Sequence, residues 1–264
     1  MGVRIGIVGA AGRMGAEVCR AVAAAEDLTL VAAVDPGAAG RSLSEVARLD
    51  GPEGDLVVAE HLDALTDADV EVAVEFTGPA SVGENLLWLL EHGIHAVVGA
   101  TGISDAQLSR ARELAAGSTA NALVAPNFAI GAVLLLRFAA EAARYLPHVE
   151  VVELHHDGKV DAPSGTALRT AELLAEARGT APSVPLGDAH HPGARGADHA
   201  GIRVHSVRLP GLVAHQEVLF GGTGQTLTIR HDSIDRTSFM PGVLLACRTV
   251  AGLDGLEVGL DAVL

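Results

Sequence analysis

The fold is decided by the stretch VRIGIVGAAGRMG at residues 3–15. An apolar run of strand character leads directly into glycines with the spacing GxxGxxG, and a helical pattern follows. Glycines in such a unit allow a tight turn, a close approach of the backbone to a pyrophosphate, and close packing of helix on strand. The phosphates then lie at the helix N-terminus, where unpaired N–H groups favour an anion. We therefore predict dinucleotide contacts from Gly9, Ala10, Ala11, Gly12, Arg13 and Met14.

An acidic residue follows at the distance that this motif requires. Asp35 ends the second apolar run, about 20 residues after Gly15, where a carboxylate accepts hydrogen bonds from the adenosine ribose and repels a 2′-phosphate. Pro36 and Gly37 place no arginine beside it, so the sequence favours NADH, although Arg13 leaves NADPH as an alternative. An ordinary βα turn with an aspartate at the strand end is the competing interpretation.

The first half of the chain alternates apolar runs with helix-length segments. The predicted strands span residues 3–8, 28–34, 70–76, 94–98 and 123–125. Nearly continuous apolar runs indicate strands that are buried on both faces, as in a parallel sheet covered by helices. The predicted fold class is therefore α/β, with an N-terminal Rossmann domain.

Short, small or polar sequences follow three of these strands. Ligands of open parallel sheets bind beyond the carboxyl ends of the strands. We therefore predict that these loops line the nicotinamide half of the cofactor site, although similar sequences are common in ordinary βα turns. The residues concerned are Phe76, Thr77, Gly78, Gly99, Ala100, Thr101, Ala125, Pro126, Asn127 and Phe128.

The pattern changes after residue 127. The sequence predicts a long helix over 130–145, a strand over 149–156, a helix from about Ser164, strands over 202–209, 212–220 and 226–232, and a last helix over 239–250. This order is typical of a smaller α/β domain with a mixed open sheet and helices on one face. We predict a dinucleotide-binding domain of residues 1–128 and 240–264 and a substrate-binding and oligomerisation domain of residues 129–239.

Composition limits the partners. The 264 residues carry a formal net charge of −15, which argues against nucleic acid or an anionic membrane because both need a basic surface. A local basic site still accommodates a small anionic substrate. Cys19 and Cys247 lie in apolar helical patterns, which predicts buried free thiols and a reducing compartment. Since no signal-peptide pattern precedes the first strand, we expect a cytoplasmic protein.

The densest chemistry lies in ELHHDGKVDAPSGTA, residues 153–167. Adjacent histidines at a strand end point to opposite faces, but the loop that follows brings His156 and Lys159 round to one cavity. The helix predicted from Ser164 offers free N–H groups and the positive end of its dipole to a carboxylate. A proton donor, a cation and an anion site therefore lie within one segment.

The run HHxxKxDAPSGTA within this segment resembles the signature of the 4-hydroxy-tetrahydrodipicolinate (dihydrodipicolinate) reductase family of lysine and diaminopimelate biosynthesis. The resemblance extends to the GAAGRMG turn, the GATG and APNF segments, and the stretches at residues 207–208 and 215–217. It implies a Rossmann domain plus a tetramerising α/β domain, and NAD(P)H-dependent reduction of a small dicarboxylate, 4-hydroxy-tetrahydrodipicolinate. The implied assembly is a homotetramer.

The resemblance also implies roles for single residues. His155 becomes a proton donor or acceptor and Lys159 a proton donor, while His156, Gly165 and Thr166 bind substrate carboxylates. Arg208 is a further candidate for a second carboxylate. These roles agree with the chemistry, because hydride addition to an electron-poor ring leaves an enamine-like species that a positioned acid must protonate.

One segment departs from the family pattern. The usual GTTG reads GATG here, so Ala100 lacks a hydroxyl, and side-chain hydrogen bonding at that position is lost while backbone contacts are expected to remain.

Two alternative functions remain open, and one stretch of the chain raises the question of metal binding. Another two-domain dehydrogenase of amino-acid metabolism, or a nonenzymatic NAD(H)-binding sensor, also needs a Rossmann domain. The Pro-, Gly- and His-rich stretch from residue 180 to about 201 contains His190, His191, Asp198 and His199. These residues lack a recognised zinc-ligand spacing, so we predict a solvated loop and no metal.

Overall fold

The computed structural model describes residues 2–180, 190–191 and 193–264, and its contacts divide the chain into two units. The first comprises Met1–Ile130 and Phe239–Leu264, and the second comprises Gly131–Ser238. Most of the predicted loop between residues 180 and 190, together with residue 192, lies outside the described residues.

The first unit contains a six-stranded sheet in which every paired neighbour is parallel. Its strands are β1 (Val3–Val8), β2 (Leu28–Val34), β3 (Val72–Glu75), β4 (His95–Val98), β5 (Ala122–Val124) and β11 (Leu256–Val258), in the spatial order β11-β5-β4-β3-β1-β2. The chain order reverses between β1 and β3, which is the switch point where such sheets bind ligands. The predicted Rossmann-type α/β fold is confirmed.

The helices of this unit are α1 (Arg13–Ala23), α2 (Leu43–Val46), α3 (Asp63–Asp67), α4 (Val82–Glu91), α5 (Asp105–Ala116) and α8 (Met240–Thr249). Small aliphatic side chains from the sheet and from α4 and α5 form one buried cluster. A capping box fixes the start of α5, because the Ser104 hydroxyl accepts a hydrogen bond from the Gln107 amide and the Gln107 side chain accepts one from the Ser104 amide.

The second unit is a mixed five-stranded sheet with the order β10-β9-β6-β8-β7. Its elements are α6 (Ile130–Ala143), β6 (His148–His155), α7 (Gly165–Arg178), β7 (Ala197–His199), β8 (Ile202–Arg208), β9 (Ala214–Gly222) and β10 (Gln225–Ser233). Strand β6 pairs with β8 in parallel and with β9 antiparallel. Residues of α6 and α7 pack against alternate residues of these strands in a second buried cluster, so the expected mixed sheet is confirmed.

Two short strands were not predicted from the sequence. Ala197–His199 is largely exposed and Leu256–Val258 is intermediate to exposed. With three residues each, both are too short to show the apolar run or the alternation over four to eight residues that indicates a strand. Both are recruited by pairing with a longer neighbour, β8 and β5 respectively.

The two cysteines are free and buried, as the sequence predicted. Burial raises the pKa of both the Cys19 and the Cys247 thiols to about 12, so both are protonated and unreactive in the folded chain. In the described part of the chain, no helix is both long and apolar enough to cross a membrane.

Candidate active site

The glycine turn lies at the carboxyl end of β1. Gly9 has a φ of +83°, in the left-handed region that favours glycine. A Cβ on Gly15 would lie 2.0 Å from the carbonyl oxygen of Gly9, so only glycine lets α1 pack this close to the turn. Helix α1 begins after Gly12 without a side-chain cap, which leaves its first N–H groups to a ligand. The turn therefore has the form of a cradle for a pyrophosphate.

Asp35 lies against this turn. Its Oδ2 accepts a hydrogen bond of 3.0 Å from the Ala11 amide, and its Oδ1 accepts one of 3.0 Å from the Gly37 amide. Each carboxylate oxygen can accept more than one hydrogen bond, so both oxygens retain capacity for the hydroxyls of a ribose. Arg13 is exposed in the first turn of α1.

The loops after β3, β4 and β5 meet at one edge of the sheet. A Cβ on Gly99 would lie 2.2 Å from the Phe76 ring, and the rings of Phe76 and Phe128 have centroids 5.9 Å apart. Asn127 is held within its own loop, since its Oδ1 accepts a 2.9 Å hydrogen bond from the Ala129 amide. The structure thus brings together the three loops that the sequence assigned to the nicotinamide, while their contact with a cofactor stays a prediction.

Glu75 is a residue of this edge that sequence reasoning missed. It ends β3 fully buried and accepts hydrogen bonds from the amide and hydroxyl of Thr77 and, at 3.2 Å, from Asn85. Burial raises its pKa although these hydrogen bonds oppose the shift, and its Oε2 has no partner among the described residues. It anchors the Phe76–Thr77–Gly78 loop. Its position at the end of an apolar run gave no signal of this role.

The second group of site residues surrounds the end of β6. His155 is the last residue of this strand, and its Nδ1 lies 2.5 Å from Oε2 of Glu153. Burial lowers the pKa of His155, helped by the charges of Lys159 and Arg208 and opposed by the Glu153 carboxylate. The ring is therefore neutral near pH 7. The charge of Lys159 acts on this ring, so the two residues predicted to be catalytic lie within electrostatic range of each other.

Glu153 is the first residue of the segment 153–167, but the sequence predicted no role for it. Its side chain is 0 % exposed, and Arg208 binds it through both oxygens at 2.8 and 2.9 Å. Burial alone would raise the pKa of Glu153, but hydrogen bonds from Arg208, Ser206 and His155 outweigh burial and hold it below the usual value. Glu153 is thus a buried, ionised carboxylate in contact with His155.

Arg208 donates four hydrogen bonds within the protein. Its Nη1 donates to Glu153 and to the carbonyl of Val207, and its Nη2 donates to Glu153 and to the carbonyl of Asp161. These four bonds use the four terminal N–H groups, and the buried Nε has no partner within the described residues. The guanidinium is directed inward because Glu153 is a buried charge that needs a partner. The predicted contact of Arg208 with a second substrate carboxylate stays a prediction.

Lys159 lies in the loop after β6. Its Nζ donates hydrogen bonds of 2.8 and 2.9 Å to the two carboxylate oxygens of Asp161, and these bonds hold the pKa of Asp161 below its usual value. Lys159 is also the only lysine in the chain; every other permanently charged basic side chain is an arginine.

Helix α7 supplies the predicted anion site. Ser164 is its N-cap and accepts a 3.2 Å hydrogen bond from the Ala167 amide. The amides of Gly165 and Thr166 precede that position and have no intrahelical partner. Gly165 is exposed, a Cβ there would meet nothing within 4 Å, and His156 is exposed on the neighbouring loop. The three residues assigned to substrate carboxylates therefore lie at an open face.

The histidines outside this site do not form a metal centre in the described residues, where no group of three or more potential ligands occurs. His199 contacts Glu172 at 3.2 Å, and His190 and His191 are exposed.

Comparison with known proteins supplies the family. Residues 3–128 match the family model described as "Dihydrodipicolinate reductase, N-terminus", and residues 131–264 match the one described as "Dihydrodipicolinate reductase, C-terminus". Proteins named 4-hydroxy-tetrahydrodipicolinate reductase from Mycolicibacterium vanbaalenii and Nocardia farcinica are 52 % and 54 % identical. These alignments cover 99 % of this chain and 99 % and 98 % of the relatives.

A solved structure agrees over the whole length. The dipicolinate-bound dihydrodipicolinate reductase from Paenisporosarcina sp. TG-14 is 42 % identical and has a TM-score of 0.90, with 100 % of both chains covered. Since both family models match and relatives above half identity extend over the full length, the chain belongs to the dihydrodipicolinate reductase family.

Proposed function

We propose that the protein reduces 4-hydroxy-tetrahydrodipicolinate to tetrahydrodipicolinate with NADH or NADPH, in lysine and diaminopimelate biosynthesis. The observation that carries this proposal is the end of β6, where His155 ends the strand, Lys159 follows in the next loop within range for its charge to act on the His155 ring, and α7 then begins with a free N-terminus. The relatives that are 52 % and 54 % identical to this chain bear the name of that activity. Family membership favours this function over another dehydrogenase or an NAD(H) sensor.

The residues of the second unit suit a dicarboxylate. The amides of Gly165 and Thr166 and the imidazole of His156 are proposed to bind the substrate carboxylates, since a helix N-terminus favours an anion. The solved relative is bound to dipicolinate, itself a dicarboxylate, which supports a dicarboxylate as the substrate class.

Lys159 is proposed to give the proton that completes the reduction. Loss of the 4-hydroxyl group as water would leave a conjugated, unsaturated ring. A dinucleotide held by the first unit would supply a hydride to this ring, and the resulting enamine-like carbon would then take a proton. A guanidinium stays protonated at neutral pH and cannot serve as this acid, whereas an ammonium can. A lysine at this one position of an otherwise arginine-based chain indicates proton transfer in addition to charge.

The first unit is proposed to hold the dinucleotide, with its pyrophosphate over residues 9–14 and its adenosine ribose on Asp35. We propose a preference for NADH, because the Asp35 carboxylate would repel a 2′-phosphate. Arg13 is exposed in the first turn of α1 and is the residue that would bind the 2′-phosphate of NADPH.

Replacing Asp35 by asparagine tests this preference. The ratio of kcat/KM for NADH to that for NADPH is expected to fall roughly 10- to 100-fold, because a charge-assisted hydrogen bond to the ribose and a repulsion are lost together. Steady-state kinetics with both cofactors measures this ratio. Asp27→Asn is the matched control, since Asp27 is exposed and pairs with Arg248. An unchanged ratio in Asp35→Asn would place the ribose elsewhere.

The structure and the sequence also bear on assembly and location. We propose a homotetramer formed through the second unit, because Leu227 on the edge strand β10 is exposed, and an exposed apolar side chain on a sheet edge favours association. We propose a cytoplasmic location, where a nicotinamide cofactor is supplied and two free thiols stay reduced.

The direct test mixes the purified protein with freshly generated 4-hydroxy-tetrahydrodipicolinate and measures the loss of absorbance of the reduced cofactor. Rapid oxidation of NADH, NADPH or both that requires the substrate is the expected result. Folded protein that binds NADH but oxidises neither cofactor would contradict the proposal and favour the sensor interpretation.

A further inference from the structure

Glu153 is the centre of the hydrogen-bond network at the end of β6. Its Oε2 accepts hydrogen bonds from His155 Nδ1 and Arg208 Nη1. Its Oε1 accepts hydrogen bonds from Arg208 Nη2 and, at 3.3 Å, from the Ser164 amide. The donors come from β6, from β8 and from the residue that caps α7. A carboxylate that is fully buried and held on both oxygens does not reach a substrate, so its effect must pass through its neighbours.

The first neighbour is His155. An ionised carboxylate is only an acceptor, so the contact with Glu153 requires the proton of the neutral ring to be on Nδ1. The lone pair is then on Nε2, which is the atom left to exchange a proton. The Glu153 carboxylate thereby selects one of two tautomers, and its hydrogen bond also limits rotation of the ring.

The second neighbour is Arg208, which extends the network to Lys159. The same Nη2 that binds Glu153 donates a 2.6 Å hydrogen bond to the carbonyl of Asp161. The carboxylate of Asp161 in turn accepts two hydrogen bonds from Lys159 Nζ. The Glu153–Arg208 pair is therefore bonded directly to His155 and through one residue to Lys159.

We propose that the buried Glu153–Arg208 ion pair is the positioning device for both proton-transfer residues, with Glu153 fixing the His155 tautomer and Arg208 fixing the loop of Lys159. Both are positioning residues and neither is catalytic. The inference rests on the proposed reductase function, because it assigns Arg208 to the catalytic geometry of that reaction and removes it from carboxylate binding.

The test replaces Glu153 by glutamine, which keeps the shape and removes the charge. We expect kcat to fall roughly 10- to 100-fold, as for other residues that orient a reacting group, while the dissociation constant for NADH stays at the wild-type value. The matched control is Glu150→Gln on the same strand. Glu150 also binds an arginine and a histidine, Arg195 and His205, but it has no bond to His155 or Lys159.

A second readout separates positioning from mere stability. Nitrogen-15 NMR of the His155 ring, assigned by loss of its signals in His155→Asn, reports the tautomer and its titration. The groups acting on this ring are Glu153, Lys159 and Arg208. In Glu153→Gln the pKa of His155 is expected to fall by about one unit or more, because the neighbouring negative charge is lost, and the ring is expected to populate both tautomers.

A double variant guards against misfolding, since Glu153→Gln leaves the Arg208 charge buried without its partner. Glu153→Gln with Arg208→Gln removes both charges, and the same loss of kcat and mixed tautomers are expected. A folded variant with wild-type kcat, or one with lower kcat but an unchanged tautomer and titration of His155, overturns the proposal. Wild-type protein that is inactive on the substrate refutes the proposed function instead, and the NMR measurement still decides whether Glu153 fixes the ring.

Discussion

Replacing Lys159 by arginine is expected to lower kcat about 10²- to 10⁴-fold, the usual contribution of a general acid, although the positive charge is kept. The guanidinium can still pair with Asp161 and attract a dicarboxylate, so KM for the substrate is expected to change little. Lys159→Ala is expected to lose the same factor in kcat and to raise KM as well, because both the proton and the charge are gone. Steady-state kinetics on the two variants separates the two roles.

Arg169→Ala is the control for loss of a cation, because Arg169 is an exposed residue of α7 whose partner is Glu172. It is expected to leave both constants near the wild-type values. If Lys159→Arg retains nearly all of kcat, the role of Lys159 is charge alone, and the proton must come from His155 or from water.

The thiol chemistry of the chain allows a rescue experiment. Lys159→Cys can be alkylated with bromoethylamine, which rebuilds an amine of nearly the same length. The native Cys19 and Cys247 are buried with pKa values of about 12, so the introduced thiol is the one expected to react. Recovery of activity after alkylation, absent when the reagent lacks an amine, would assign the proton to this position.

The sequence predicted the elements with strong periodicity and missed those that depend on neighbours. The strands around residues 3–8 and 28–34 agree with the structure to the residue, because their apolar runs end at glycine or aspartate. Ala197–His199 and Leu256–Val258 become strands only through pairing with β8 and β5. Pairing of that kind leaves no local pattern.

The site shows the same division. The roles of His155, Lys159, Gly165 and Thr166 stay predictions, but they were drawn from the sequence, because a proton donor, a cation and a helix start lie within one segment. The role of Glu153 was not, because it depends on Arg208 in β8, 55 residues away, and sequence alone does not show that these two charges are buried against each other. Arg208 was predicted to bind a substrate carboxylate because the sequence does not show that Glu153 is its partner within the protein.

Gly15→Ala is expected to destabilise the fold and abolish dinucleotide binding together. The added methyl group would lie 2.0 Å from the Gly9 oxygen, 2.8 Å from the Gly9 carbonyl carbon and 2.9 Å from the Ala10 Cα. All three are backbone atoms, so the strain is not relieved by moving a side chain. We expect the free energy of unfolding to fall by about 3 kcal/mol, the upper part of the range for overpacking, and NADH affinity to fall more than roughly tenfold as the turn shifts.

Gly12→Ala separates the two effects. A Cβ on Gly12 meets only the Gly9 oxygen, at 3.2 Å, and the φ of −67° suits alanine, so stability is expected to change little. The exposed methyl group would instead point toward the position of the pyrophosphate, where the motif requires close backbone approach, and NADH affinity is expected to fall. Gly117→Ala, at the end of α5 with its nearest contact at 3.7 Å, should alter neither the stability nor the NADH affinity.

Denaturant unfolding measures the stability of the three variants, and fluorescence titration with NADH measures their affinity for the cofactor. Equal stability of the Gly15 and Gly12 variants would mean that α1 does not pack on the turn as closely as the structure has it, and unchanged NADH affinity in Gly12→Ala would place the pyrophosphate away from this turn.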